Sequence, residues 1–554
     1  MTLCDSLNEY LQSSIRSNWE RPALTDLGAV PVTLSYKDVA RKIAKIHILY
    51  RQVGIMPGDK VALCGKNSSL WCVAFLATVT YGAVIVPILA DFKPDNIQHL
   101  INHSDAKLLF ADDAIWEALN PDAMTKLLGA VSLRDFSLSF SRSDVLTDTR
   151  RHLNELFGHE YPDRFTRDSI SYYKADRDAL CLISYTSGST GFSKGVMIPY
   201  RALWSNVHYC ITHLQADPGD GVVCMLPLAH MYGLTIDMLR PFVGGCHINV
   251  LTRTPSPRII MEAFAQVHPR YIVAVPLIIE KIIRTRVFPL LEKPLMKLML
   301  MVPFVDDRLL SKVKERLTET FGGKLEEIII GGAALNRDVE RFLRRIGFPY
   351  TVGYGMTECA PLIAYAHWND NRMASCGRIV DRVEAKIDSP HPASKPGILH
   401  VKGDNVMLGY YKNPEATEAV FDEDGWMNTG DICNLDDEGY LYIRGRDKNM
   451  ILGPSGQNIY PEEIEDRLNN MPYVSESLVV EGPGHRLIAL IFPDLENSQA
   501  QGLTDADIER IMADNIRQLN PELPAYSQVQ SFRIQQEEFE KTPKRSIKRY
   551  MYKA

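Results

Sequence analysis

The sequence predicts an α/β protein: a large N-terminal domain of helix-covered sheets over 1–446, with a β-rich subdomain at about 381–446, and a small α+β domain over 447–554. Three observations lead there. Short apolar runs bounded by turn residues alternate with amphipathic stretches through most of the chain, the pattern of parallel sheets covered by helices. After Asp381 the pattern changes to short alternating strands with Gly-rich turns. From Asp447 a final unit carries strands and a helix of its own.

In chain order, Tyr36–Val53 reads as an amphipathic helix and Val61–Leu63 as a buried strand. Trp71–Ala90 is 20 residues without a charge, the length of a membrane span. Gly82 in its middle, Pro87, Thr78 and Thr80 instead predict a buried helix stopped near Gly82 and a core strand Ala83–Ile88. Further core strands are expected at Lys107–Phe110, Ala179–Tyr185, Val222–Met225, Tyr271–Val275 and Glu327–Ile330, and a helix at Asp338–Ile346. Ser132–Tyr173 is polar and weakly periodic and reads as an irregular insertion. Gly397–Val401 and Gly439–Arg444 belong to the β-rich part. Glu476–Glu481, Leu487–Phe492 and the helix Asp505–Gln518 belong to the last unit. No internal repeat is present.

With 554 residues, 45% apolar and 23% charged, the chain has the composition of a soluble globular protein. A net charge of −7 gives no electrostatic reason to expect nucleic acid as a partner. The ten cysteines are scattered with no CxxC pair, which suggests neither disulfides nor zinc and fits a reducing cytosol. The N-terminus lacks the basic and apolar regions of a signal peptide, so a cytoplasmic protein is expected. Leu290–Val305, rich in Leu and Met with Lys293 and Lys297, reads as a core helix or as an amphipathic patch for peripheral contact with the inner membrane face.

The strongest motif is Tyr185-Thr-Ser-Gly-Ser-Thr-Gly-Phe-Ser-Lys-Gly-Val196, directly after a predicted strand. Glycines let the backbone approach a ligand, while Thr186, Ser187, Ser189, Thr190, the loop amides and Lys194 supply donors for an anion. The spacing Gly188-x-x-Gly191-x-x-Lys194 is not that of a Walker A loop. The segment resembles the phosphate-loop signature of the adenylate-forming superfamily, which holds acyl-CoA synthetases, nonribosomal peptide adenylation domains and firefly luciferase. It departs from that signature at Ser189 and Ser193. GIMPGDKVAL (54–63), LPLAHMYG (226–233), GGAAL (331–335), GYGMTE (353–358), NTGD (428–431), GRDKNMI (445–451) and NIYPEEIE (458–465) match in the family's order.

The resemblance implies ATP and Mg²⁺ in a site made by Thr186, Ser187, Gly188, Ser189, Thr190, Gly191 and Lys194 with Gly332, Ala333, Tyr354 and Gly355. By it, Tyr354 stacks on adenine, Thr357 and Glu358 hold phosphate oxygen and metal, and Asp431 takes the ribose hydroxyls. Arg446 meets ribose or phosphate, His230 faces the acyl group and the thiol's approach path, and Asp447 is the hinge of a rotating C-terminal domain. The family's C-terminal catalytic lysine falls on Ser546, so Lys544 or Lys548 is expected to substitute. The implied reaction joins a fatty acid, most like a long-chain one, to CoA through an acyl-adenylate. Loading onto acyl carrier protein, an aryl acid substrate, or a non-catalytic adenylate-binding protein are the alternatives. Amino-acid-activating relatives pair the α-amino group with an aspartate, and Tyr232 falls near that place with Asp237 about a turn later, which disfavours an amino acid.

Overall fold

The computed structural model describes residues 3–28, 31–186, 194–291, 293, 296, 305–452, 457–483, 486–542 and 547–553. The predicted α/β class is what these residues form. The largest sheet has eight strands, in spatial order Gly409–Tyr410, Lys194–Pro199, Leu180–Thr186, Val84–Ile88, Lys60–Cys64, Leu108–Ala111, Gly129–Ser132 and Leu138–Ser141. Its middle five strands are parallel, as the strand–helix alternation predicts. Both edges run antiparallel, so the sheet is mixed rather than parallel throughout. A second sheet orders Gly221–Cys224, His247–Leu251, Pro22–Leu27 and Val32–Ser35, and a third, all parallel, holds Tyr271–Ala274, Glu327–Ile330 and Tyr350–Val352.

The uncharged stretch resolves as its punctuation predicts. Helix Ser69–Tyr81 starts at Ser68, whose hydroxyl accepts from Trp71 N, and ends at Gly82 in the left-handed region at φ +90°. A Cβ at Gly82 would lie 2.6 Å from the Tyr173 ring, so the glycine serves the turn and the packing together. The helix is apolar on every side and buried, with Trp71 stacked on Phe75. Among the described residues no helix is long and apolar enough to cross a membrane.

Ser132–Tyr173 corrects the expectation of an irregular insertion. It holds strand Leu138–Ser141 and helices Asp144–Arg151 and Leu153–Glu160. These two helices bury only Leu146, Thr149 and Leu153, too few apolar positions to show a period in the sequence. Most of Leu290–Val305 lies outside the described residues.

Further along, Val383–Ile387, Gly397–Gly403, Met427–Leu435 and Leu441–Arg446 form an antiparallel sheet. Strands Val474–Gly482, Arg486–Pro493 and Val529–Ile534 pack on helices Pro461–Leu468 and Asp505–Leu519 around a core of their own, including Ile464, Leu468, Ala489, Met512 and Leu519. The helix Pro461–Leu468 meets the larger part through charged contacts, Asp466 to Arg337 at 3.6 Å and Glu463 to Arg444 at 3.8 Å.

Candidate active site

Strands Leu180–Thr186 and Lys194–Pro199 pair antiparallel and place Thr186 directly opposite Lys194. The motif's Ser187, Gly188, Ser189, Thr190 and Gly191 lie outside the described residues, but both of its ends are fixed. The Lys194 ammonium sits 4.7 Å from the centroid of the Tyr410 ring. Tyr410 pairs with Val196 on the lysine's own strand, and its hydroxyl donates to Glu358 Oε1 at 3.0 Å.

Glu358 lies in the turn Thr357–Cys359, which three neighbours hold from outside. Met407 N donates to Glu358 O at 2.8 Å, Thr235 Oγ1 to Ala360 O at 3.1 Å, and Asn206 Nδ2 to Cys359 O at 3.0 Å. Asn206 also accepts from Leu362 N at 2.8 Å, so one buried amide spans the whole turn. Replacing Asn206 by alanine orphans a buried carbonyl and a buried N–H. The expected loss is about 2–4 kcal/mol in urea unfolding, with a parallel fall in any activity that needs Glu358.

Asp431 is 2% exposed at the start of the register with Arg446. Arg446 Nε donates to Oδ1 at 2.7 Å, and the Tyr354 hydroxyl donates to Oδ2. Burial pushes the Asp431 carboxyl above its usual range, and the Arg446 charge opposes that. Glu358 and Glu462 add their negative fields at the same arginine. Tyr354 lines a cavity of about 70 Å³ together with Gly332, Gly355 and the rings of Tyr209, Tyr232 and Tyr365. Gly332 takes φ +90°, and Ala333 follows it on the surface. The cavity's far side is braced: Tyr365 donates to the buried Glu327 at 2.6 Å, and Tyr209 stacks on His213 at 4.0 Å.

His230 follows strand Gly221–Cys224 on a half-buried loop that does not line this cavity. Asn67 holds the loop through Leu226 O at 2.7 Å and Leu228 N at 3.0 Å. Asp237 holds it through the amides of Met225 and Leu226 at 3.2 and 3.4 Å. Asp447 opens a short turn directly after Arg446. Lys548 pairs with Glu540 at 3.2 Å within the last unit, while Lys544 and Ser546 lie outside the described residues.

The structure thus forms two contact sets, Lys194–Tyr410–Glu358 and Arg446–Asp431–Tyr354, linked by the field of Glu358 at Arg446, and leaves Lys548 with a partner elsewhere. Sequence reasoning missed Tyr410, Asn206, Asn67 and the Tyr209–Tyr365 wall. A lone asparagine or tyrosine carries no catalytic spacing, and only the strand pairing of Tyr410 with Val196 reveals its position.

An AMP-binding enzyme model matches residues 11–411, and an AMP-binding enzyme C-terminal domain model matches residues 448–554. A long-chain-fatty-acid–CoA ligase of Escherichia coli is 28% identical over 86% of this chain and 83% of its own. A 4-coumarate–CoA ligase of Vanilla planifolia is 25% identical over 92% and 87%. The crystal structure of ATP-bound MatB from Rhodopseudomonas palustris superposes with a TM-score of 0.77, at 22% identity over 99% of this chain and 98% of that one, and so shares the fold. The chain belongs to the AMP-binding enzyme family.

Proposed function

We propose that the protein is an AMP-forming acid–CoA ligase acting on a fatty acid, with long-chain acids favoured. The observation that carries the reading is a pair of contact sets, Lys194–Tyr410–Glu358 and Arg446–Asp431–Tyr354, with the charge of Glu358 felt at Arg446 and Tyr354 lining an apolar cavity. A cation, hydroxyls and backbone donors suit a triphosphate. A buried carboxylate suits a ribose diol, and an apolar pocket beside them suits the stem of the acid.

Ser187, Gly188, Ser189, Thr190, Gly191 and Lys194 would cradle the phosphates, and Gly332, Ala333, Tyr354 and Gly355 the base. Asp431 and Arg446 would hold the ribose side, and His230 the approach of the thiol. Thr357 and Glu358 are hard oxygen donors that fit Mg²⁺. Among the described residues no group of three His, Cys, Asp or Glu side chains is placed to hold a metal alone, which matches an ion whose other oxygens come from nucleotide and water. Magnesium bound with ATP supplies charge neutralisation on the phosphates.

In the first half-reaction a carboxylate oxygen bonds to the α-phosphorus, and pyrophosphate leaves with the electron pair of the broken P–O bond. In the second, the thiol gives its proton to water, sulfur bonds to the acyl carbon, and AMP leaves with the electron pair of the broken C–O bond. The protein's part is to hold two anions together and offset their charge. Asp447, between the two matched segments, would be the hinge that presents different faces of the 447–554 domain to each step. Lys548 or Lys544 would serve the first step once that domain turns.

One observation favours the aryl acid reading as second. The cavity of about 70 Å³ is far below the roughly 300–1,000 Å³ of a typical ligand site, and the Tyr209 and Tyr365 rings form part of its wall. A long chain needs one of those rings to move. AMP release from Mg–ATP and CoA, measured with C4 to C18 acids, benzoate and 4-coumarate, separates the readings. Rates that rise with chain length support the long-chain reading. A preference for the aromatic acids replaces it, and no AMP with any acid removes the ligase proposal.

A further inference from the structure

We infer that Tyr410 is a positioning residue that keeps the phosphate-loop lysine and the acidic residue of the GYGMTE turn from neutralising each other, an inference that rests on the ATP-dependent reading above. Lys194 and Glu358 carry opposite charges and face the same ligand. Left side by side in a partly desolvated site, an ammonium and a carboxylate pair directly, and the pair then meets an incoming triphosphate with little net field. Among the described residues no ion pair joins them. Tyr410 stands between: its ring face takes the ammonium at 4.7 Å, and its hydroxyl takes the carboxylate at 3.0 Å. Each charge is satisfied by a partner that a phosphate or a metal ion can displace without breaking a salt bridge.

The residue is built to stay there. Tyr410 is 7% exposed, pairs with Val196 two residues from Lys194, and donates its N–H to Thr417 Oγ1 at 2.9 Å. Gly409 before it sits at φ +135°, where a Cβ would lie 2.6 Å from Thr417 Cγ2, so the approach depends on that glycine.

Two substitutions separate the two halves of the role. Tyr410→Phe keeps the ring under Lys194 and frees Glu358. It should raise the magnesium concentration for half-maximal ATP–pyrophosphate exchange several-fold and leave ATP affinity at saturating magnesium near wild type. Tyr410→Leu removes both contacts and lets the charges pair. It should weaken equilibrium binding of ATP, measured by calorimetry, by about tenfold. Adding Glu358→Gln to Tyr410→Leu should then restore ATP binding toward wild type, because the lysine has lost its competitor. A residue that is merely structural gives no such rescue. Equal losses in both single variants, or no rescue in the double variant, overturn the inference. Lys194→Ala and Glu358→Gln alone test the parent reading: if both exchange pyrophosphate like wild type, the site assignment fails. If they lose exchange while the Tyr410 variants do not, only the spacer role fails.

Discussion

Replacing Asp431 by alanine is expected to lower ATP–pyrophosphate exchange by at least about 100-fold, the largest single effect in the site. A hydrogen bond to a charged acceptor contributes roughly 1.5–3 kcal/mol, and a ribose diol makes two, which corresponds to about 10²–10⁴ in affinity for the nucleotide. Both carboxylate oxygens are engaged within the chain itself, Oδ1 by Arg446 and Oδ2 by Tyr354. These partners oppose the upward push of burial and hold a nearly fully buried carboxylate aimed until a nucleotide competes for it. Removing it also leaves a cation and a phenol without their acceptor. Loss of one partner of a buried pair costs about 3–5 kcal/mol, but the Arg446 side chain is 56% exposed and recovers hydration. The expected stability loss is therefore about 1–3 kcal/mol in urea unfolding, enough to detect and too little to unfold the protein. Asp431→Asn keeps the shape and one acceptor. It should unfold within about 1 kcal/mol of wild type and still bind ATP weakly by calorimetry. If Asp431→Asn binds ATP like wild type, Asp431 does not hold the ribose.

The residues that make this site divide by how they announce themselves. Lys194, Glu358 and Asp431 sit in short motifs whose composition carries the chemistry, so glycine, hydroxyl and charge in a fixed order are legible in the amino-acid sequence itself. The strand ahead of each motif is legible too, because buried parallel strands are unbroken apolar runs. Edge strands are not: Gly409–Tyr410 is two residues long and Lys194–Pro199 begins at a charge, so neither shows a period. Tyr410 and Asn206 act through contacts with residues 52 to 216 positions away, and no local pattern encodes such a partner. The cavity is hidden from sequence for the same reason. Its wall joins Tyr209 on helix Tyr200–His213, Tyr232 just before Gly233–Leu239, and Tyr354 and Tyr365 on two paired strands, and only tertiary packing brings them together. Asp237 shows the limit from the other side. The sequence marks it only as lying a turn beyond the position that would bind an amino group, and the structure gives it a different kind of importance.

Asp237 is fully buried on the π-helical segment Gly233–Leu239, and its stability effect should be read out by pH. Oδ2 accepts from the amides of Met225 and Leu226, while Oδ1 has no partner among the described residues. Burial pushes the carboxyl up to about 8, and the two amide bonds offset only part of that. The groups that feel its charge, the Cys224 thiol and the Tyr232 and Tyr271 phenols, are themselves pushed up by burial and stay neutral over the same range. The folded chain therefore holds a proton that the unfolded chain releases near pH 4. This contribution to stability is complete below about pH 4 and is lost as pH rises to about 8, at about 1.4 kcal/mol per pH unit. Between pH 5 and 8 the loss amounts to about 4 kcal/mol, a large share of the 5–15 kcal/mol that holds a typical domain. Asp237→Asn keeps a carbonyl for the two amides and has no proton to release. Its urea-unfolding free energy should lack this slope, lying at or below wild type at pH 5, where its extra N–H donor finds no acceptor, and above wild type at pH 8 to 9. Parallel stability curves for the two proteins across that range would show that Asp237 is ionised in the fold. Because Asp237 clamps the loop that carries His230 from behind and does not line the cavity, the crossover belongs in the unfolding data. Turnover at pH 7 should change little.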